Sequence, residues 1–577
     1  MKPKMNISPI PDAYICLSYD IIYDDYTTVN PVDFIKEIPT LPMLHFVVGL
    51  QNKVLYAFSD ISTQKQMIYG MCGFLKMEEK QRVWQFLKKN QNVIFITNTT
   101  SLLFFQLALS NYEALGNGED CTFLYPDEIV NIYKALLYCN QKWTNQQMVN
   151  AGKLIHDGEQ YPLDLIGLSL HLDLPIVEFK LYKDFKTQFY KAICFFEFCE
   201  KDKLFSTYLT AFYADHKVSH WKEYVLRLFD FFAASLNGQY IKMDEAHLTD
   251  KIFFNQYTIN VTDSEIKSLW DKENLTYLRN HFLVLVSPNY YLLLNANLLV
   301  DKLYQGMKFD FFESVKRHNL LDDNNRKYES YKDFSAVLGC IFSEQNLLYP
   351  ILTKCYKSNA DKILSGDFLK SEGVSGAPDF YIRQGNILYL FEHKDLILGD
   401  TVKYSSDVDE IKNAILERLC FDGVVKGKGK RKGGGQLLFT INAIFNENFL
   451  ADFDSGISNI RHVYPIIITT DTAFSAIGVN ALVNLEFSNL VQTKYHFSNT
   501  NVFIRLPLIL DYDTLLKLSW RIATNKLSLA SIIDIYLRDI KNGYKLVPFS
   551  TYIIDSYLRG KKVSEQENDF LLGDKLN

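Results

Sequence analysis

The 577-residue sequence carries a formal net charge of −6, with 61 Lys and Arg against 67 Asp and Glu. This length exceeds what one hydrophobic core supports, so we expect several domains. The negative charge argues against a protein that coats nucleic acid non-specifically, so any basic binding surface must be local. The nine cysteines show neither zinc-ligand spacing nor a disulfide framework, which favours free thiols in a reducing cytoplasm. No signal peptide or uninterrupted apolar span is visible, so we expect a cytoplasmic protein without a membrane partner.

The N-terminal half is predicted to be largely helical. Residues 1–125 combine short apolar runs with a helix-like stretch near Lys80–Lys89, which predicts a small α/β or helical module. Apolar residues then recur at helical spacing through residues 126–280, which predicts a helical bundle or array. Such arrays commonly bind other proteins, so we expect a protein partner here. His216 and His220 have metal-ligand spacing, but without a third ligand we favour a solvated pair on one helix face.

Residues 281–325 are predicted to connect this region to the next. Two apolar runs, His281–Val286 and Tyr290–Leu294, flank Ser287-Pro288-Asn289, so they predict a hairpin that is followed by a helix. The polar stretch Leu320–Asn325 then marks a domain boundary.

Phe334 to Tyr349 is predicted to form the first helix of the next domain. Its apolar residues recur at helical spacing, and Glu344 lies on the same stripe. A carboxylate on a buried helix face needs a partner, and a bound metal ion would provide one. In the alternative interpretation, Glu344 lies at the rim of the stripe and is simply solvated.

Residues 376–394 predict a β-hairpin. One apolar run follows Asp379 and a second extends from Ile387 to Phe391. Between the runs, Gly385-Asn386 tolerates the positive φ of a tight turn. Pairing of the two runs would carry Asp379 back toward the end of the second strand.

Charged residues follow directly at that end. Strand alternation places Glu392 and Lys394 on one face and His393 on the other. Glu392 and Lys394, together with Asp379, bring two carboxylates and one ammonium to the end of an apolar sheet. Such charges are costly to bury unless they pair or hold a metal ion. Two carboxylates suit Mg²⁺ or Mn²⁺, with water completing the coordination.

A basic segment follows, and we predict that it contacts nucleic acid. Five cations lie within seven residues on a glycine-rich backbone: Lys426, Lys428, Lys430, Arg431 and Lys432. We interpret the segment as a mobile loop whose charges suit a phosphate backbone, the alternative being a solvated linker. It leads into a predicted helix that begins near Gln436, whose N-terminal amides would face the same anion.

The remaining elements alternate between helix and strand. A helix is predicted at Gln436–Phe445, with Gln436 and Thr440 on one face, and a buried strand at Val463–Thr470. A second helix is predicted at Thr472–Leu485 and a further strand at Val502–Leu510. Residues 511–577 are predicted to form C-terminal helices.

Pro378-Asp379 followed by Glu392-x-Lys394, in this order of elements, resembles the PD-(D/E)XK nuclease superfamily across residues 326–510. The resemblance implies a restriction-endonuclease-like α/β core, in which a mixed sheet is flanked by helices, and metal-dependent hydrolysis of phosphodiester bonds. It implies roles for six residues: Asp379 and Glu392 hold Mg²⁺ or Mn²⁺, Glu344 and the backbone carbonyl of His393 add ligands, Lys394 orients or activates water, and Gln436 holds the substrate or Lys394. One branch of the superfamily has Gln-x-x-x-Tyr, and here Thr440 stands in the Tyr position.

The sequence thus predicts an α+β multidomain protein with a largely helical N-terminal region, a restriction-endonuclease-like core and C-terminal helices. The predicted function is a Mg²⁺-dependent nuclease, with DNA favoured as substrate. By analogy, its large accessory regions favour restriction or antiviral defence. Two alternatives stay open: a ribonuclease, and a binding or scaffold protein whose nuclease fold is catalytically idle. The sequence gives no indication of the oligomeric state.

Overall fold

The computed structural model describes residues 15–55, 60–112, 124–151, 161–175, 177–180, 183–237, 240–242, 248–272, 274–374, 376–405, 407–425, 428–447, 449–495, 497, 501–543, 546–558 and 564–576. The chain divides into two compact units. The first comprises Met1–Gly152, Phe179–Phe189 and Thr207–His318; the second comprises Lys153–Glu178, Tyr190–Ser206 and Asn319–Asn577. The five-segment division predicted from the sequence is finer than this and stays a prediction.

Most of the described residues are helical. In chain order the α-helices are α1 (Val32–Ile35), α2 (Thr40–Asn52), α3 (Ile61–Cys72), α4 (Met77–Lys89), α5 (Asn98–Ser110), α6 (Pro126–Ala151), α7 (Tyr161–Asp173), α8 (Val177–Lys180), α9 (Phe185–Lys201), α10 (Lys203–His216), α11 (Trp221–Asn237), α12 (Leu248–Asn255), α13 (Thr276–Asn280), α14 (Ala296–Asp301), α15 (Gln305–Arg317), α16 (Tyr331–Leu338), α17 (Tyr349–Tyr356), α18 (Gly366–Ser371), α19 (Asp400–Lys403), α20 (Val408–Leu419), α21 (Gly434–Asn446), α22 (Val479–Thr493), α23 (Tyr512–Ala523), α24 (Leu529–Gly543), α25 (Phe549–Ile553) and α26 (Glu565–Leu576). Among the described residues we find no helix with both the length and the apolar character needed to cross a bilayer.

The strands are short in the first unit and longer in the second. In chain order they are β1 (Ile15–Cys16), β2 (Val93–Ile94), β3 (Tyr240–Lys242), β4 (Leu283–Ser287), β5 (Tyr290–Leu293), β6 (Lys362–Ser365), β7 (Phe380–Gln384), β8 (Ile387–Lys394), β9 (Cys420–Val425), β10 (Lys428–Gly433), β11 (His462–Thr469), β12 (Phe503–Ile504) and β13 (Leu508–Asp511). Four 3-10 turns (Tyr19–Ile21, Ile266–Asp271, Ile457–Asn459 and Thr472–Ser475) and two π-helical segments (Gly339–Leu348 and Ile554–Leu558) complete the described regular structure.

The first unit combines helices with two small sheets. β1 and β2 pair in parallel, and β5 lies between β3 and β4 in an antiparallel three-stranded sheet. The β4–β5 pairing confirms the hairpin predicted from the apolar runs His281–Val286 and Tyr290–Leu294. The helix predicted near Lys80–Lys89 is also confirmed, as α4.

The expectation that His216 and His220 form a solvated pair on one helix is wrong. α10 ends at His216, and the next residue, Lys217, takes a left-handed conformation with φ of 53° that turns the chain away. The His216 ring is buried and packs against the rings of Phe212 and Tyr224, with ring centroids 4.2 and 5.4 Å away.

The second unit is built on a six-stranded mixed sheet. Its strand order is β12-β11-β8-β7-β6, and β13 also pairs with β11. β7 is antiparallel to both of its neighbours, β6 and β8. β11 is parallel to β8, and β12 and β13 are parallel to β11. β11 is buried from Val463 to Thr469, which is typical of a parallel strand covered on both faces. The prediction of a mixed sheet flanked by helices is confirmed at this level.

Two predicted elements of this unit differ in detail. The strand predicted at Val502–Leu510 is divided into β12 and β13, which pair with the start and the end of β11. The helix predicted from Thr472 begins as a 3-10 turn, and α22 starts only after Gly478, whose φ is 95°.

The β7–β8 hairpin carries the predicted charges to one end of the sheet. Gly385 at its turn has a φ of 58°, a conformation that glycine adopts without steric strain. Phe380 pairs with Phe391, so the preceding Asp379 lies at the same end as Glu392. The predicted hairpin and its register are confirmed.

The prediction of a mobile basic loop is wrong for its described part. Lys428, Lys430, Arg431 and Lys432 lie on β10, which pairs with β9 in an antiparallel ladder, and Lys426 lies outside the described residues. The glycines serve close packing of the backbone: a Cβ on Gly433 would lie 2.0 Å from the carbonyl oxygen of Leu419, and one on Gly435 would lie 2.2 Å from that of Phe421. Glycine therefore fits the hairpin against the start of α21 instead of loosening the chain.

Candidate active site

Asp379 is held by the backbone of the neighbouring strand. The amide of His393 donates a hydrogen bond of 2.7 Å to Oδ2 of Asp379. This bond fixes the Asp379 carboxylate against the backbone of β8 at His393, which lies between Glu392 and Lys394. The predicted convergence of Asp379 with the end of β8 is therefore present in the structure.

Glu392 and Lys394 form a buried ion pair on one face of β8. The Lys394 ammonium lies 2.6 Å from Oε1 of Glu392, and their side chains are only 16% and 8% exposed, respectively. Burial, reinforced by the nearby charge of Asp379, raises the pKa of Glu392 to about 8, although Lys394 acts in the opposite direction. The attraction of one ammonium thus does not offset the combined effect of burial and of the Asp379 charge.

Lys394 remains a cation in this setting. Burial disfavours its charge, but the carboxylates of Glu392, Asp379 and Glu344 more than offset this effect and raise the pKa of Lys394. A lysine with a raised pKa donates hydrogen bonds and positive charge but does not accept a proton near neutral pH.

Glu344 approaches the same cluster from a π-helical segment. α16 begins at a capping box between Ser330 and Asp333, and Gly339–Leu348 continues it with the wider π geometry. The Glu344 side chain is 13% exposed, so it is neither fully buried nor solvated at a rim. Burial and the nearby Asp379 raise the pKa of Glu344 to about 7. The structure therefore places a third carboxylate within electrostatic reach of Asp379 and Glu392.

Two residues that the sequence analysis did not identify contact Glu344. The hydroxyl of Tyr349, five residues later on the same helix, donates a hydrogen bond to Oε1 of Glu344. The ammonium of Lys370 on α18 lies 4.0 Å from the same oxygen. The five-residue separation of Tyr349 from Glu344 matches a π turn, not an α turn, and no sequence pattern signals that register.

Asp395 is the third residue that sequence reasoning missed. Its carboxylate accepts hydrogen bonds from Ser343, which precedes Glu344, and from Thr470, which follows β11. It follows Lys394 directly, but its partners come from distant parts of the sequence. Asp395 thus joins the π-helical segment to the two central strands of the sheet.

Gln436 and Thr440 hold the loop that leads to Asp379. Gln436 Nε2 and Thr440 Oγ1 both donate to the carbonyl oxygen of Gly376, at 3.3 and 3.0 Å. Gly376 has a φ of 80°, and a Cβ there would lie 2.7 Å from the ring of Phe439. The shared helix face predicted for Gln436 and Thr440 is confirmed, and it is directed at this loop.

The cations of β10 fall into two groups. Arg431 lies over the ring of Phe439, with its guanidinium carbon 4.2 Å from the ring centroid. Its Nε lies 3.5 Å from Oδ1 of Asp422. Lys432 has a lowered pKa, first because burial disfavours its charge and then because Lys430 repels it. Glu417 acts in the opposite direction, and Arg418 and Lys394 add smaller repulsions. The Lys432 end of β10 therefore lies within electrostatic reach of the Lys394 site.

The donor set fits a divalent cation that has few protein ligands. Among the described residues, no three His, Cys, Asp or Glu side chains are arranged to hold a metal ion by themselves. Mg²⁺ commonly binds through one or two carboxylates, with water and substrate phosphates completing its shell. Asp379 and Glu392 supply two such carboxylates. The pKa of Glu392 is raised first by burial and then by the charge of Asp379, and a bound cation would oppose both effects by stabilising the ionised carboxylate.

Comparisons of this chain with protein-family models, with curated proteins and with solved structures find no significant match. The assignment of a function therefore depends on the geometry and chemistry of the site.

Proposed function

We propose that this protein is a metal-dependent nuclease with a restriction-endonuclease-like core, and that DNA is its favoured substrate. The observation that carries the proposal is the convergence of Asp379, Glu392 and Lys394 at one end of a mixed sheet, with more negative charge than Lys394 balances. A stability role alone gives no reason to place a buried Glu392 and a half-buried Asp379 next to one ammonium, because charge that is buried without full compensation destabilises a fold.

The sheet topology also supports the proposal. Three antiparallel strands, β6 to β8, are followed by helices and by β11, which pairs in parallel with β8. This is the order that the sequence resemblance implies for residues 326–510. A helix carrying Glu344 precedes the strands, and α21 carrying Gln436 lies between β8 and β11.

Asp379 and Glu392 would hold Mg²⁺ or Mn²⁺, with the backbone carbonyl of His393 and Glu344 as further candidate ligands. When bound, the ion would polarise the scissile phosphate and lower the pKa of a bound water. Because Lys394 keeps its charge, it orients water by donating hydrogen bonds and offsets the charge that develops on the phosphate. Gln436 holds the Gly376 loop and so positions Asp379. A role in restriction or antiviral defence rests on analogy with other proteins that carry large accessory regions.

The test is a cleavage panel with the full-length protein. End-labelled duplex DNA, single-stranded DNA and RNA are incubated with Mg²⁺, with Mn²⁺ and with EDTA. We expect cleavage of at least one DNA substrate that requires metal. Cleavage of RNA alone would make the protein a ribonuclease. Absence of cleavage in every arm, by a folded protein, would leave an idle nuclease fold and overturn the proposal.

A further inference from the structure

We infer that Lys428, Lys430 and Lys432 form a ladder that binds the phosphate backbone of the nucleic-acid strand entering the candidate active site. The inference rests on the proposed function, because it concerns the same site and names how its substrate is held. It also separates these three lysines from Arg431, which the sequence grouped with them.

Strand alternation defines the ladder. In β10 successive side chains point to opposite faces, so the three lysines share one face and Arg431 lies on the other. Alternate residues on a strand are about 6.6 Å apart, so the ladder is about 13 Å long. Each strand of a duplex carries one phosphate for about every 3.4 Å of the helix axis, so a ladder aligned with that axis spans about four phosphates of one strand.

The lysines of the ladder have no ion-pair partner in direct contact among the described residues, although the carboxylate of Glu417 lies near enough to act on the charge of Lys432. Lys428 and Lys430 are exposed, Lys432 is half-buried, and within the described residues none of the three forms an ion pair. Like charges at alternate positions repel one another, which destabilises the hairpin unless an anion is bound. Lysine ammonium groups on flexible stems suit phosphates as point charges without fixed geometry.

Arg431, by contrast, is engaged by contacts within the protein. Its guanidinium stacks on Phe439 and lies near the carboxylate of Asp422. The hydroxyl of Tyr495 donates a hydrogen bond of 2.7 Å to the same carboxylate. Arg431 thus joins β10 to α21 on the face opposite the ladder.

The ladder points toward the site. Lys432 lies at the end of β10 that continues into α21, and its charge is repelled by that of Lys394. A strand whose phosphate reaches Lys394 would therefore continue along Lys432, Lys430 and Lys428. Three flexible ammonium groups do not read bases, so this contact is independent of nucleotide sequence.

The test measures binding, not cleavage. The full-length protein is titrated with labelled duplex DNA, single-stranded DNA and duplex RNA at several salt concentrations, with Ca²⁺ replacing Mg²⁺ to suppress hydrolysis. The ladder variant changes Lys428, Lys430 and Lys432 to Ser. A matched control changes three other exposed lysines of the second unit, Lys327, Lys332 and Lys357, to Ser. Thermal unfolding checks that both variants fold.

Each phosphate contact contributes about 0.9 to the salt slope on duplex DNA and about 0.7 on a single strand. We expect the slope of the ladder variant to fall by about two to three units on the bound nucleic acid, and that of the control by less than about one unit. If the salt slope falls on only one of the three nucleic acids, that nucleic acid is the one whose phosphate backbone the ladder binds. An unchanged slope, equal losses in both variants, or no affinity of the wild type for any arm would overturn the inference. If the slope falls as expected but Mg²⁺ produces no cleavage, the ladder stands and the nuclease proposal fails.

Discussion

The Lys394 ammonium lies 2.6 Å from Oε1 of Glu392, two residues earlier on the same strand. Even with this partner, burial and the neighbouring Asp379 raise the pKa of Glu392 to about 8. Glu344 adds a third carboxylate to the same field. A site with this excess of negative charge should gain stability from a divalent cation, and it should respond to pH in a predictable direction.

The first prediction concerns pH and metal-free stability. Because the pKa of Glu392 is higher in the folded than in the unfolded protein, its contribution to stability is fully present below pH about 4.5 and is lost as the pH rises through about 8. Glu392→Gln cannot ionise and lacks this loss. In EDTA, the melting temperature of Glu392→Gln relative to wild type should therefore increase between pH about 5 and 8.

The same melting temperatures are also measured with added Mn²⁺ in place of EDTA. Mn²⁺ should raise the melting temperature of the wild type more at the upper end of that pH range than at the lower end, because metal binding displaces protons from the ligands. Glu392→Gln should respond weakly. A difference between variant and wild type that is independent of pH would contradict the electrostatic account of the site.

The second prediction concerns Tyr349. Its hydroxyl donates to Glu344 across the π turn, and a hydrogen bond to a charged group contributes about 1.5–3 kcal/mol. Tyr349→Phe should therefore lower the cleavage rate by about 10- to 100-fold, mainly in kcat, while the protein stays folded. The matched control is Tyr512→Phe, because Tyr512 donates to the backbone oxygen of Leu347 in the same segment. Comparable rate losses in both variants would mean that Tyr349 acts only through the stability of the helix.

Much of the site could be predicted from its sequence because its signals are local. Alternation along residues 380–394 and the Gly385-Asn386 turn determine the hairpin, and with it the approach of Asp379 to Glu392. The helical stripe around Glu344 is likewise a short-range pattern. The partners of Asp395 could not be predicted, because Ser343 and Thr470 meet it only when distant elements pack together.

The basic segment shows where local rules fail. Five cations and several glycines favour a mobile loop, but the register with β9 and the backbone packing of Gly433 on Leu419 produce a strand. The interpretation of His216 and His220 fails for a related reason. A single left-handed residue, Lys217, ends the helix on which their spacing had been counted.

The third prediction separates Arg431 from the lysines on the same strand. Arg431→Ala removes the stacking on Phe439 and the charge facing Asp422, so β9 and β10 should open more readily. Hydrogen exchange of the backbone amides in residues 420–425 and 428–433 should become faster than in the wild type. The salt slope of nucleic-acid binding should change by less than about one unit. Unaltered exchange together with a clearly lower slope would assign Arg431 to phosphate binding instead.

The fourth prediction concerns acid stability of the first unit. Burial lowers the pKa of His216 to about 4. The charged ring is thus disfavoured in the folded state, and the stability that His216 contributes above pH about 6.5 is lost as the pH falls toward 4. His216→Phe should keep the ring packing and lose less stability over this interval. If the melting temperatures of the variant and the wild type fall by the same amount between pH about 7 and 4.5, the assignment of a buried neutral ring is contradicted.

The last prediction is the most direct test of the central claim, that Asp379, Glu392 and Lys394 form a metal-dependent catalytic site. Single-turnover cleavage in Mg²⁺ is measured for wild type, Asp379→Asn, Lys394→Ala and the exposed-surface control Lys332→Ser, on the substrate that the panel identifies. Asp379→Asn keeps an oxygen that can accept the hydrogen bond from the His393 amide, so it should remain folded. We expect both site variants to lose at least about 100-fold in rate and the control to match wild type. Rates within a few-fold of wild type in a folded Asp379→Asn or Lys394→Ala protein would contradict the account.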